Sequence, residues 1–367
     1  MSAVMPRSGF GSMPRWRLDP WLLGMLTVLL LLGALVLYSA AEQNIGMVWR
    51  QSVRLGMGLV VLAVFAHLPP RILRLWAPWI YLAALVMLVA VLLFGVGRGA
   101  QRWLDLGVIR FQPSEAMKLA LPLMLAMLLD RRRLPPDWRT LAMATVLIGL
   151  PVVLIVKQPD LGTAVLIGAS GLCILFLAGL RWRLILAMMA ALAAAAPVVW
   201  LNLHQYQRHR ILTFLNPESD PLGQGWNIIQ SKIAVGSGGL TGKGWLAGSQ
   251  SHLEFLPEPH TDFIFSVLAE EFGFVGVATM LALYAAIIGR GMYMASQCRD
   301  SFGRLLAGTL VFLFFLYVAV NVGMISGLLP VVGVPLPLVS YGGTSAVTLL
   351  AGFGIVMGLY SRRRFMG

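Results

Sequence analysis

Glu115 and Lys118 lie one helical turn apart in Gln112-Pro113-Ser114-Glu115-Ala116-Met117-Lys118, at the head of an otherwise apolar run. Residues three apart share a helix face, so the two can pair. An ion pair that only neutralises itself would account for them, yet apolar side chains would stabilise a bundle interior at least as well. A paired lysine that faces a cavity can instead bind an anion. Arg98, Arg102 and Arg110 come just before this run, and with Arg50, Arg54 and Lys118 they could build a cationic cavity. Guanidinium groups grip phosphate oxygens through two parallel hydrogen bonds, which would suit that cavity to a diphosphate head group. Arginines scattered over the surface, their charged tips drawn into water, are the alternative.

Carboxylates supply the other half of such chemistry. In Gln158-Pro159-Asp160-Leu161-Gly162-Thr163, Asp160 can cap a helix or serve a site, and spacing favours neither. The densest polar stretch is Glu254-Phe255-Leu256-Pro257-Glu258-Pro259-His260-Thr261-Asp262, which places Asp262 at the water boundary of the next apolar run. Capping and proton transfer are equally open to it. Glu270 and Glu271 lie deeper in that run, where buried charge demands a partner or a water-filled cavity. His204, His209, His252 and His260 do not follow a zinc spacing, although a loosely held divalent cation, magnesium or manganese, could sit at carboxylates such as Asp262. Cys173 falls in an apolar run and Cys298 in a basic loop, so neither a disulfide between them nor redox chemistry is expected.

The elements that carry these residues must be membrane helices. The 367 residues are 58% hydrophobic and 12% charged, against about 25% charged in a soluble domain. Runs long enough to cross a bilayer lie near 20–41, 49–68, 75–96, 112–130, 139–157, 160–180, 183–202, 262–289, 305–328 and 338–360. The first lacks a convincing cleavage site and is expected to stay as an anchor. Seventeen of the 28 cations fall in alternate connections, including Arg15, Arg17, Arg71, Arg74, Arg131, Arg132 and Arg290. That alternation marks cytoplasmic loops, and it accounts for the +13 charge without nucleic acid. The expected fold is an all-α polytopic membrane protein of about ten transmembrane helices, forming one domain over 1–367. Both termini would be cytoplasmic, and a large outer loop, about 203–261, would join helices 7 and 8. Eight glycines between Gly223 and Gly248 predict tight turns or close backbone approach to a ligand there.

One C-terminal run carries a resemblance. It reads Asn321-Val322-Gly323-Met324-Ile325-Ser326-Gly327-Leu328-Leu329-Pro330 and continues through Gly333-Val334-Pro335-Leu336-Pro337 to Ser340-Tyr341-Gly342-Gly343-Thr344-Ser345. This run resembles the signature of the SEDS family, for shape, elongation, division and sporulation. The motifs at Gln112–Glu115, Gln158–Asp160, Gly223–Lys232 and Phe255–Phe263 extend the resemblance over nearly the whole chain. Short tails place it nearer the elongation branch than the division branch.

The resemblance implies a ten-helix fold in the bacterial cytoplasmic (inner) membrane, with an active site on the outer, periplasmic side. It also implies peptidoglycan glycosyltransferase activity on lipid II and undecaprenyl-linked glycan. A class B penicillin-binding protein, the transpeptidase, and other elongation-complex proteins would be partners. Asp262 matches the family's essential aspartate, and Glu115 and Lys118 match its cavity pair. Joining a sugar 4-hydroxyl to an anomeric carbon needs a base and needs positive charge at the departing diphosphate. Asp262 is the candidate base or metal ligand, Lys118 and Glu115 complete the catalytic set, and Arg102, Arg110, Asp160, Arg210, Glu258 and Ser340 are the substrate-binding candidates. A flippase for the same lipid is the competing reading. Alternating access would expose polar groups towards both faces, whereas the polar residues here gather at the outer edge.

Overall fold

The computed structural model of the chain describes residues 17–96, 102–105, 110–132, 134–184, 224–248 and 260–362, with isolated positions between them. The helices begin where capping chemistry lets them. Asp19 opens α1 (Pro20–Ala40) by accepting from Leu22 N at 2.9 Å, and Asn44 opens α2 (Ile45–His67) by accepting from Met47 N at 3.1 Å. Proline, preset for a first helical turn, heads α3 (Pro70–Phe94) and α4 (Pro113–Asp130). Between these two, β1 (Leu104–Asp105) and β2 (Arg110–Phe111) pair antiparallel as a short hairpin. Asp137 caps α5 (Trp138–Lys157) and Asp160 caps α6 (Leu161–Leu177). Next come α7 (Gln224–Ser237), α8 (Ile264–Ser296), α9 (Ser301–Ile325) and α10 (Gly343–Tyr360).

Seven of these described helices are long and apolar enough to cross a membrane: α1, α2, α3, α5, α8, α9 and α10. The chain is a multi-pass, mostly helical membrane protein. Two more expected spans are present as shorter or more polar helices: α6 has only 17 residues, and α4 carries Glu115, Lys118 and Asp130 in its 18. α4, α9 and α10 form the centre, with 67% of the apolar window of α9 and 72% of that of α10 buried, against 22% for α2 and α5. α2 lies flush on α10, because a Cβ on Gly358 would come within 2.6 Å of Ala66 O and Gly354 abuts Leu62 O.

The ends that alternate cations assigned to one side do meet. Arg74 bridges Asp130 at 3.1 Å and Asp300 at 2.8 Å, Arg290 pairs with Asp19 at 2.6 Å, and Arg17 donates to His67 O at 2.7 Å.

Three boundaries differ from expectation. α8 runs to Ser296, past the expected stop near 289, because Arg290 reaches Asp19 and stacks 5.3 Å from the Tyr293 ring while the helix continues. α10 starts at Gly343, so residues 326–342 form an irregular strap. The insertion at about 203–261, expected to hold tight turns or close backbone approach to a ligand, contains α7, and of the expected seventh span at 183–202 only isolated positions beyond 184 are described.

Candidate active site

α4 presents its polar pair to the centre of the bundle. Lys118 Nζ lies 2.5 Å from Glu115 Oε1, donates to the Tyr317 hydroxyl of α9 and sits 4.7 Å from the centre of that ring. Glu115 is 5% exposed and Lys118 2%, so the expected pair is buried. The second Glu115 oxygen, Oε2, and the Ser114 hydroxyl are buried with no hydrogen-bond partner among the described residues. Buried polar atoms are almost always satisfied, so this pair retains capacity for another hydrogen-bonding group.

Asp160 takes the capping role and more. Its Oδ1 accepts from Thr163 N at 3.3 Å and its Oδ2 from Gln112 Nε2 at 3.2 Å, which ties the start of α4 to the start of α6. Arg102, just before the hairpin, lies 3.7 Å from the same carboxylate and donates to Pro159 O. Arg110 belongs to β2, although its side chain is outside the described set, and Arg98, Arg210, Glu254 and Glu258 lie outside the described residues.

Asp262 stands in the turn before α8. The N-cap position of that helix is Phe263, whose side chain cannot cap. The peptide of Asp262 is held from α9, where Asn321 Nδ2 donates to Asp262 O at 3.0 Å and to Val334 O at 2.8 Å. Its carboxylate faces the strap at Gly333, where a Cβ would lie 3.5 Å from Oδ2. Gly333 has φ +72°, a conformation that glycine adopts without strain.

The strap is fastened on several sides, as buried backbone must be. Tyr341 N donates to His260 O at 2.9 Å, and Tyr284 donates its hydroxyl to Pro337 O at 2.7 Å. Gln51 of α2 donates to Ser340 O at 3.2 Å and accepts from Gly342 N at 3.3 Å. Ser340 accepts from Leu336 N through its hydroxyl at 2.8 Å, so that oxygen already secures the strap. The Tyr341 ring meets His260 edge-on, with Arg54 4.9 Å above it. Burial raises the Tyr341 phenol, but hydrogen bonds from Arg50 and Arg54 and their charges outweigh it and hold the group below its ordinary range.

α9 thus touches both candidate centres. Tyr317 and Asn321 are one turn apart on one face, at a spacing of about 5–6 Å between Cβ atoms, so Lys118 and the Asp262 peptide hang from adjacent turns.

The buried glutamates of α8 have the partners that their depth required. Glu270 pairs with Lys243 at 2.6 Å and Glu271 accepts from the Ser39 hydroxyl. Gly273, at φ 62° and ψ −159°, breaks the helix there. The 238–244 loop fills the break: Lys243 N and Gly244 N donate to Glu270 O and Glu271 O at 3.0 Å, and Phe274 N and Val275 N donate to Gly239 O and Leu240 O at 2.9 and 3.1 Å.

Tyr317, Lys243, Ser39 and Gln51 escaped the sequence reading. Each pairs with a residue 27 or more positions away, and the one local signal was its polar type. Among the described residues, no three His, Cys, Asp or Glu side chains gather to hold a metal.

The chain resembles known proteins in both sequence and fold. Residues 19–364 match the sequence profile of the cell cycle protein family of FtsW, RodA and SpoVE. Peptidoglycan glycosyltransferase MrdB of Escherichia coli strain K12 is 54% identical over 351 residues, 95% of each chain. A chain from a peptidoglycan synthase complex, solved for its coordination of polymerization and crosslinking, superposes with a TM-score of 0.83 at 39% identity, covering 95% of this chain and 99% of its own. The Rod shape determining protein RodA of Thermus thermophilus superposes with a TM-score of 0.73 at 33% identity, over 95% and 99%. Matched along nearly its whole length in sequence and fold, the chain belongs to the FtsW/RodA/SpoVE family of cell cycle proteins.

Proposed function

We infer that this chain is a peptidoglycan glycosyltransferase of cell elongation, polymerising lipid II at the outer face of the bacterial cytoplasmic membrane. The observation that carries the mechanism is the pairing on α9, which holds a buried lysine and the Asp262 peptide from adjacent turns. The Asp262 carboxylate takes the proton of the acceptor's sugar 4-hydroxyl while that oxygen bonds to the donor's anomeric carbon. The bond from that carbon to the lipid diphosphate breaks, and the diphosphate leaves with the electron pair. Lys118, with Arg102 and Arg110, stabilises the negative charge gathering on it. Glu115 keeps Lys118 in place at 2.5 Å. Arg210 would add to the positive charge at the departing diphosphate, and Asp160 and Glu258 are the further substrate-binding candidates. A requirement for magnesium or manganese, which Asp262 could help to hold, is tested by adding a chelator to the assay.

The class B penicillin-binding transpeptidase is the expected partner, since a solved structural neighbour is a peptidoglycan synthase complex. The test is polymer formation from lipid II by purified protein with that partner. Asp262→Asn should insert and bind lipid II but lose polymerisation by about 10²–10⁴-fold, the usual contribution of a positioned base. Normal polymer from Asp262→Asn would remove the base role. Transbilayer movement of lipid II without polymer from the native protein would favour a flippase.

A further inference from the structure

We propose that Asn321 is a positioning residue that fixes where the Asp262 carboxylate stands relative to the strap and to Lys118. The proposal rests on the reading of Asp262 as the base. A carboxamide NH2 has two N–H donors, and both are used here on backbone carbonyls, Asp262 O at 3.0 Å and Val334 O at 2.8 Å. One group therefore sets the separation between the peptide that carries the carboxylate and the residue next to Gly333, against which the carboxylate lies. The turn needs such a hold. In its first helical turn Ser266 N donates to Phe263 O at 2.9 Å, and the N-cap side chain of α8 makes no bond.

Packing alone does not select this residue. Asn321 is 0% exposed, and its Oδ1 is buried without a hydrogen-bond partner among the described residues. A leucine of similar size would remove that orphan, and it would leave Asp262 O and Val334 O without their donor, so what selects the amide is its hold on those two peptides. A sequence that breaks a local rule in this way does so where function asks for it. Tyr317, one turn earlier, meets Lys118 from the same face, so α9 spaces base and cation together.

The experiment measures lipid II polymerisation by the full-length protein with its transpeptidase partner, for Asn321→Leu and Asn321→Asp beside Asp262→Asn. Leucine removes both donors, whereas aspartate sets acceptors against two carbonyl oxygens. A base displaced by about 1 Å loses about 100-fold in rate. The expected result is a fall in kcat of that order for Asn321→Leu and a larger one for Asn321→Asp. KM for lipid II and the acid limb of the pH profile should hold, because the amide touches neither the substrate nor the carboxylate, while the detergent melting midpoint falls only as far as the loss of two carbonyl hydrogen bonds requires. Native kcat in folded Asn321→Leu overturns the proposal, as does a loss of kcat that only tracks the loss of folded protein. If Asn321→Leu fails to insert, Asn321→Gln replaces it, keeping both donors on a longer stem, and the same kcat fall at a near-native midpoint is expected. Unfolding of both variants assigns Asn321 to folding and overturns the proposal. The two readings fail separately. Normal polymer from Asp262→Asn removes the base and this role with it, whereas a dead Asp262→Asn beside a native Asn321→Leu removes only the clamp.

Discussion

Lys118 carries its charge in a place where an unsupported ammonium would be strongly disfavoured. Glu115 and the Tyr317 hydroxyl solvate it, and the Tyr317 ring face adds a cation–π contact. Lys118→Met keeps the apolar stem and removes only the charge. Polymerisation should collapse in Lys118→Met protein that still reaches the membrane folded, and near-normal turnover would return the pair to a structural role. Tyr317→Phe removes one hydroxyl while Glu115 still holds the lysine, so its rate should fall less than that of Lys118→Met in the same assay. The pair itself was legible in sequence, because a spacing of three residues is local. Tyr317 was not, since its partner lies 199 residues away and nothing in an aromatic within an apolar run marks it.

The break in α8 shows what an element gains from a loop far from it in sequence. The half-helix that follows Asp262 stops at Gly273, and the backbone groups freed there bond to the 238–244 loop. Gly273 tolerates φ 62° and lies against Gly242 N and the Leu240 backbone, where any Cβ would collide. Glu270, 0% exposed, is held by Lys243 across the same junction. Lys243→Met would remove that partner from a buried carboxylate, and because the lysine itself is part-exposed the cost is about 1–3 kcal/mol. A lower melting midpoint in detergent is expected, with partial recovery when Glu270→Met is added. A double variant no more stable than Lys243→Met would show that the pair does not act as a unit. Glu270 and Glu271 already signalled a need for partners in the sequence. The glycines near 240 signalled close backbone approach as well, but not that the backbone approached would be α8 itself.

At the scale of the whole molecule, the multi-pass helical character was written in hydropathy, because apolar runs of spanning length follow from the energetics of a bilayer. The strap at 326–342 was legible only in its middle: the apolar runs stopped at 328 and resumed at 338, whereas its true ends and its fastening by Gln51, Tyr284 and Asn321 depend on tertiary contacts. The proposed orientation can be tested against that physics. The bundle end that gathers Arg17, Arg74, Arg290, Asp19, Asp130 and Asp300 would face the cytoplasm, as clustered cations do in short loops. Asp262 and the strap, at the opposite ends of α8 and α9, would then face outward. A cysteine introduced at Ser219, within the expected outer loop, should react with a membrane-impermeant maleimide in cells whose outer membrane alone is permeabilised. One at Arg131, after α4, should react only once the inner membrane is opened. The native Cys173 and Cys298 are buried, and burial pushes the Cys298 thiol, in the loop after α8, up to about 12, so background labelling should be low. The reverse pattern would turn the molecule over, placing Asp262 on the side where a lipid-linked donor is made and an extracellular polymer cannot be.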